Sequence, residues 1–215
     1  MSNGLSEQDL LANLLYATSY GRQGEETAER LLRHFGSLKH VYGGSRGALM
    51  KHGLSEAQAA LLMAMHPIAR RCALEDLGPA PNLLDEETLR KYVRALYVGA
   101  CNEQFVAIAL DGRGRFIEAK TVAQGTMREI PLQPRTLLDF AVQSGAASVI
   151  FVHNHPGGQG QFSRADIQST QIFANYLRST GIGLLDHLLY SRGEVVSMRR
   201  SCHMPEVFAR PEPSK

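Results

Sequence analysis

Two histidines, a serine and an aspartate lie close together in the sequence, at a spacing that suits metal chemistry. His153 and His155 are two residues apart, so on an extended strand their side chains point to the same face. Ser163 and Asp166 are three residues apart, so on a helix they lie on neighbouring turns of one face. Two imidazoles and one carboxylate form a known ligand set for catalytic zinc, with the fourth position left for water. The pattern therefore predicts a metal site with His153, His155 and Asp166 as ligands.

The residues around this cluster predict the elements that would position it. The apolar run 146–152 is typical of a buried strand, and His153 follows at its end, where open α/β sheets hold their ligand sites. A proline and two glycines then end the strand and begin a loop. Ser163 is a favourable N-cap for a helix over 164–177. Ser163 could therefore be a cap and Asp166 an ordinary first-turn acid, although a cap can also have a second role.

The same residues resemble the JAMM metalloprotease signature, which reads His-x-His, seven residues, Ser, two residues, Asp. Here the signature runs from His153 to Asp166 with no gap. The runs 153–156 and 184–187 are similar to the RadC-like branch, and the similarity covers about residues 100–200 and continues more weakly upstream. The resemblance implies an α/β (α+β) fold of the MPN and cytidine-deaminase-like type, with a mixed sheet and flanking helices. It also implies a hydrolase that holds one Zn²⁺ per chain.

A JAMM site also needs a glutamate from an earlier strand, which takes a proton from the water at the zinc. Glu103 is the first candidate, because it stands just before the apolar run 105–110, and in the family an acidic residue opens the equivalent strand. Glu118 and Glu129 are the alternatives, and Glu103 could instead be a solvated residue at a strand start. With Glu103 as general base and then acid, and Ser163 donating to the oxyanion, the site would hydrolyse a peptide or isopeptide amide.

Two other functions are compatible with these residues. One is a binding module in DNA maintenance whose metal site is structural or vestigial, and the other is a metal-dependent nuclease. A complete ligand set together with Glu103 favours an enzyme, since a vestigial site is expected to have lost a ligand. One zinc can serve amide or phosphodiester hydrolysis, so the sequence leaves the substrate, a peptide or protein in the preferred interpretation, unidentified.

The chain divides into a helical first part and an α/β second part. We predict a helical N-terminal domain over 1–77, a linker over 78–84, a metal-binding domain over 85–203 and a disordered tail over 204–215. The linker contains two prolines and a glycine, which do not continue a helix. Within the N-terminal domain, Pro67 should kink or divide the helix that begins at Ser55.

One segment of the N-terminal domain bears on DNA binding. Gly53, Leu54 and Ser55 faintly resemble the second half of a helix-hairpin-helix, in which backbone N–H groups of a glycine turn bind a DNA phosphate. A full motif has a second glycine where Ser55 stands. Residues 1–77 contain eight Lys/Arg and eight Asp/Glu, so they have no basic surplus. DNA binding is therefore expected to be weak or absent, and the alternative is a bundle for packing or dimerisation.

Composition bounds the class of protein and its compartment. The 215-residue chain has a net charge of +2, no apolar run as long as a membrane span, and an N-terminus without the features of a signal peptide. Its cysteines, Cys72, Cys101 and Cys202, are odd in number and form no CxxC pair. This usage favours a reducing cytoplasm.

Asp186 and His187 stand side by side on an apolar segment and have two interpretations. They could orient a metal ligand from behind, or they could form a satisfied, partly buried pair. We favour the structural role. The other histidines have no ligand spacing and are expected to be neutral in function: His34, His40, His52, His66 and His203.

Overall fold

The protein forms two compact units, Met1–Cys72 and Ala73–Lys215. The computed structural model describes residues 4–18, 23–125, 134–201 and 204–208. The division between the units falls a few residues before the boundary that we predict after residue 77. No described helix combines the length and the apolar character that a membrane span requires.

The first unit is a small helical bundle around one apolar core. Its helices are α1 (Glu7–Tyr16), α2 (Gln23–Phe35), α3 (Leu38–Tyr42), α4 (Arg46–Lys51) and most of α5 (Glu56–Glu75). Ser6 and Asp9 form a reciprocal capping box at the start of α1, which satisfies two N–H groups that have no partner within the helix. Each of these helices contributes at least one buried side chain to the core. These include Leu11, Leu31, Val41, Leu49 and Leu62, in the order of the helices.

Helix α5 continues through Pro67 as a single helix. Of the two predicted effects, a kink or a division, the division is therefore wrong. Pro67 removes one backbone hydrogen bond, but alanine, leucine, methionine and arginine, which favour helices, occupy most positions on both sides of it. The helical preference of the residues on both sides offsets the free energy that is lost with this hydrogen bond.

The second unit is built on a five-stranded mixed sheet. Its strands are β1 (Gln104–Leu110), β2 (Phe116–Gln124), β3 (Ser148–Asn154), β4 (Gly183–Ser191) and β5 (Glu194–Ser197). Its helices are α6 (Glu86–Leu96), α7 (Pro134–Gln143), α8 (Arg164–Ser179) and α9 (Met198–Ser201), followed by a short 3₁₀ helix over Pro205–Phe208. The strand order is β2-β1-β3-β4-β5, and β3 and β4 are the parallel pair. The predicted mixed sheet with flanking helices after a helical bundle is confirmed.

Each face of this sheet buries a separate apolar core. One core contains Phe105, Phe151 and side chains of α7 and α8, and the other contains Val106, Ile150 and side chains of α6. Residues that follow one another on a strand alternate between the cores, because successive side chains point to opposite faces. All residues of β3 are buried, as is typical of a strand covered on both faces. His153 therefore lies on the same face as Phe151.

The segment predicted as a linker, 78–84, is part of the second unit. Leu83 is buried in the core on the α6 side, and its backbone N–H donates to the carbonyl of Gly114 at 2.9 Å. Asn82 pairs with Arg115 as an isolated antiparallel bridge. The prolines follow the end of α5, as expected, but the segment then packs against the turn between β1 and β2.

The end of the chain differs from the predicted disordered tail over 204–215. Residues 205–208 form the 3₁₀ helix, and Phe208 is buried in the core that α7 and α8 cover. Burial of this aromatic ring offsets part of the entropy cost of ordering the segment. The prediction is wrong for the described residues 204–208, and the rest of the tail lies outside the described part.

Candidate metal centre

The end of β3 brings two histidines to the start of helix α8. The Nε2 atoms of His153 and His155 are 3.1 Å apart. The Asp166 carboxylate lies beside both, with Oδ1 at 3.6 Å from His153 Nε2 and Oδ2 at 4.0 Å from His155 Nε2. With one ligand atom taken from each residue, the three atoms lie within 4.8 Å of one another. The structure thus brings together the three residues that the sequence predicts as ligands.

These separations fit one zinc ion. Zinc binds imidazole nitrogen at about 2.0–2.1 Å and carboxylate oxygen at about 2.0–2.2 Å in a tetrahedral arrangement, which places two ligand atoms roughly 3.4 Å apart. The two Nε2 atoms are 3.1 Å apart, and they lie 3.6 and 4.0 Å from Oδ1 and Oδ2 of the carboxylate, respectively, which is close to that value. Three protein ligands leave one position of the tetrahedron free, as in catalytic zinc sites.

The Asp166 carboxylate is buried without a full set of donors. Its side chain is 1% exposed. Oδ2 accepts the backbone N–H of Ser163 at 2.7 Å. Oδ1 has no hydrogen-bond partner, and among the described residues it is the one buried side-chain atom in that condition. Burying a carboxylate oxygen without a donor is costly, and a cation beside the two imidazoles would supply the missing partner.

Both imidazoles turn Nε2 toward the Asp166 carboxylate. Burial lowers the pKa of His153 to about 4, so its ring is neutral near pH 7. His155 Nδ1 lies 2.9 Å from the backbone carbonyl of Gln159, which can only accept a hydrogen bond. His155 therefore donates from Nδ1, which leaves Nε2 as the ring nitrogen that faces Asp166. The His155 side chain is 14% exposed, more than the other two ligands.

Ser163 is the N-cap of α8, as predicted. Its Oγ accepts the backbone N–H of Asp166 at 3.1 Å, which completes a capping box. In the matching box of α1, the Ser6 hydroxyl also donates to the Asp9 carboxylate at 2.5 Å. At Ser163 the bonds among the described residues include no acceptor for the hydroxyl hydrogen. The cap therefore does not use that hydrogen.

Glu103 lies at the edge of the metal centre. Phe105 of β1 is opposite His153 in the antiparallel register, so Glu103, two residues earlier, is level with His155. Glu103 and His153 line the same small cavity. The structure thus places the first candidate for the general base beside the ligands.

Of the two alternatives to Glu103, the structure describes Glu118, which is not brought to the site. Glu118 is exposed on the outer strand β2, opposite Ala109, which is itself opposite Val149. Val149 precedes His153 by four residues, which is about 13 Å along a strand. Glu129 lies outside the described residues.

His187 contacts the candidate ligand His153, which our preferred structural interpretation missed. Its Nε2 is 2.8 Å from His153 Nδ1, and its side chain is fully buried. Burial lowers the pKa of His187 well below its usual value, so the ring is neutral. No local sequence pattern reveals this role, because it depends on the register of two parallel strands, in which His187 is opposite Phe151 on the face of His153.

Asp186 has the structural role that we predict. Its Oδ1 accepts the backbone N–H groups of His187 at 2.7 Å and Arg199 at 3.0 Å, and its Oδ2 accepts the Ser197 hydroxyl at 2.5 Å. Asp186 and Ile150 line a cavity of about 370 Å³. This cavity lies on the α6 side of the sheet, so it is separate from the metal centre.

The segment that carries these residues matches a known domain. Residues 83–203 match the RadC-like JAB domain. The chain belongs to the RadC-like JAB-domain family. Its relatives include UPF0758 proteins of Nitrosomonas eutropha (34% identical over 194 residues, 90% of this chain and 87% of the relative) and Chromobacterium violaceum (36% over 195 residues, 90% and 87%). A UPF0758 protein of Bordetella parapertussis is 33% identical over 201 residues, 93% of this chain and 89% of the relative.

The RadC-like match confirms the family that the sequence resembles. Its span contains the three candidate ligands together with Glu103 and Ser163. The relatives also cover most of the helical first unit, since the matched share reaches nine-tenths of the chain.

Proposed function

We propose that this RadC-like JAB domain is a zinc-dependent hydrolase that cleaves an amide bond in a peptide or protein. The observation that carries the proposal is the buried cluster of two imidazole Nε2 atoms and the Asp166 carboxylate, whose Oδ1 lacks a donor. His153, His155 and Asp166 would hold one Zn²⁺. Membership of a family that includes metallohydrolases supports the same conclusion.

The other residues of the centre suit amide hydrolysis. Zinc, when bound, polarises the carbonyl of the scissile amide and makes a water molecule more acidic. Glu103 would take the proton that the attacking water loses, and would give it to the amine as the C–N bond breaks. Ser163 would donate its unused hydroxyl hydrogen to the carbonyl oxygen as that oxygen becomes negative. The substrate would approach from the side of His155, the most exposed of the ligands.

Protein purified without chelator is expected to contain one zinc per chain, because the structure provides three ligands for one ion. Mass spectrometry of the metal content measures this directly. His153→Ala should lower the content, whereas His34→Ala, which removes a histidine of the first unit, should not. Hydrolysis of a peptide library should stop with chelator and return with zinc.

Each other outcome points to a different function. No zinc in the purified protein, and none taken up on titration, would contradict the proposal. Zinc-dependent cleavage of DNA but not of peptides would replace it with the nuclease interpretation. Zinc without any hydrolysis would favour a binding module with a structural metal.

We also expect the first unit to bind DNA weakly or not at all. The Ser55 N–H, which lies in the candidate phosphate-binding turn, donates to Gln58 Oε1 at 2.9 Å. Gly53 in the same turn packs against Arg30, since a Cβ there would be 2.9 Å from the guanidinium. Fluorescence anisotropy of the full chain with labelled duplex and single-stranded DNA, over a range of salt, measures this. Phosphate-driven binding weakens by about a thousandfold or more between low and moderate salt. Tight binding at low salt with such a dependence would contradict this expectation and would favour the DNA-maintenance function.

A further inference from the structure

Behind His153, a chain of hydrogen bonds connects two of the candidate ligands through two further side chains. His153 Nδ1 is 2.8 Å from His187 Nε2. His187 Nδ1 is 2.6 Å from the Thr170 hydroxyl, and that hydroxyl is 2.6 Å from the backbone carbonyl oxygen of Asp166. His153, His187 and Thr170 are 2%, 0% and 1% exposed, so bulk water does not compete for these bonds.

The chemistry of each group fixes where its hydrogen lies. A carbonyl oxygen only accepts, so Thr170 donates its single hydroxyl hydrogen to Asp166. The hydroxyl oxygen then accepts from His187 Nδ1–H. A neutral imidazole has one N–H, so His187 Nε2 carries a lone pair and accepts from His153 Nδ1–H. His153 Nε2 is left with the lone pair that a metal ligand requires.

The ring of His187 is also held against rotation. Phe105, Phe151 and Phe162 surround it, with ring centroids at 5.3, 5.9 and 5.4 Å. A flipped ring would present carbon atoms to Thr170 and His153, and it would break both hydrogen bonds inside a dry core. Unmade bonds in such a place are costly, so the observed orientation is strongly preferred.

We propose that His187 and Thr170 are positioning residues, which hold His153 with its hydrogen on Nδ1 and its lone pair on Nε2. The Gln159 carbonyl accepts a hydrogen from His155 Nδ1, so both rings donate from Nδ1 and turn Nε2 toward each other, 3.1 Å apart. This orientation presents both Nε2 atoms to one cation. Its use rests on the proposed zinc site, whereas the tautomer itself is a property of the zinc-free chain.

Heteronuclear NMR of the histidine ring nitrogens tests this in the zinc-free full-length protein above neutral pH. The expected spectrum has His153 protonated on Nδ1 and unprotonated on Nε2. In Thr170→Val the acceptor for His187 Nδ1–H is lost, so the hydrogen should move to His187 Nε2 and donate to His153 Nδ1. The His153 hydrogen is then expected on Nε2, the reverse of the wild type.

Zinc affinity provides a second measurement. Thr170→Val should weaken zinc binding by about 10–100-fold, as is usual when the partner of a ligand histidine is disturbed. Thr170→Ser, which keeps a hydroxyl at this position, should bind zinc as the wild type does. Ser169→Ala is the matched control. The Ser169 hydroxyl donates to the same Asp166 carbonyl at 3.0 Å, but the hydroxyl next to His187 is that of Thr170. In Ser169→Ala, the tautomer of His153 and the zinc affinity should both match those of the wild type.

The outcomes separate the positioning role from the proposed function. A His153 hydrogen on Nε2 in the wild type, or an unchanged tautomer in Thr170→Val, would overturn the positioning role even if zinc binds tightly. The expected tautomers in a chain that takes up no zinc would support the positioning of His153 and reject the hydrolase instead. The wild-type spectrum needs no variant, so it decides the tautomer even if Thr170→Val fails to fold.

Discussion

Asp166→Asn is expected to lower the zinc affinity by more than about a hundredfold and, in the zinc-free protein, to raise the free energy of unfolding. Disturbing the partner of a ligand already costs about 10–100-fold in affinity, and Asp166 is itself a candidate ligand. Without zinc, however, its Oδ1 is a buried atom with no donor. Removing that charge should recover about 1–3 kcal/mol, the usual cost of an unsatisfied buried polar group. Zinc titration against a competing chelator and denaturant unfolding with chelator present measure the two effects.

The capping box of α1 provides a matched control for Asp166→Asn. Asp9 accepts the Ser6 N–H at 3.0 Å, as Asp166 accepts the Ser163 N–H at 2.7 Å. However, Asp9 is on an exposed helix end and does not belong to the group of clustered ligands found among the described residues. Asp9→Asn should therefore leave the zinc affinity unchanged and should not stabilise the zinc-free chain. If Asp166→Asn behaved like Asp9→Asn in both measurements, Asp166 would be a helix cap and not a ligand.

The ligand set was accessible from the sequence because its geometry is local. His153 and His155 share a face through the two-residue period of a strand, and Ser163 and Asp166 are joined by the first turn of a helix. The connection between the strand and the helix is short, so the end of β3 and the start of α8 meet. Local spacing and a short loop are enough to predict that these three ligands converge.

The partners behind the ligands could not be predicted in the same way. The contact between His153 and His187 depends on the register of two parallel strands that are joined through helix α8. A shift of one residue would have turned His187 to the other face, and no short motif encodes that register. Thr170 is one helical turn after Asp166, but its contact with His187 appears only when the helix packs on the sheet.

The packing of Phe208 was missed for a related reason. The prolines and charges near the end of the chain predict disorder, because composition describes the preference of an isolated segment. Whether a ring is ordered depends on the space that the rest of the fold leaves for it. Here α8 and β4 leave a site where Phe208 is 1% exposed. Tertiary packing thus overrides the local preference.

Glu103→Gln is expected to abolish most hydrolysis while it leaves the zinc in place. Glutamine has nearly the shape of glutamate but does not accept the proton of the attacking water. General acid–base catalysis contributes about 10²–10⁴-fold to a rate, so kcat on a peptide substrate found by library screening should fall by that factor. KM and the zinc content should be unchanged, because Glu103 is not one of the three clustered ligand residues. Steady-state kinetics and metal analysis of the same preparation test both parts.

Glu118→Gln is the control for this variant, because it makes the same chemical change on an exposed strand remote from the ligands. It should retain the wild-type kcat. Wild-type turnover in Glu103→Gln would mean that the position of Glu103 beside His153 is that of a solvated strand-start residue. Glu129 would then be the next candidate for the general base. The small cavity that Glu103 and His153 line would have no role in catalysis. Loss of zinc along with activity would instead make Glu103 a further ligand, and the site would hold its metal with four protein groups, as structural zinc sites do.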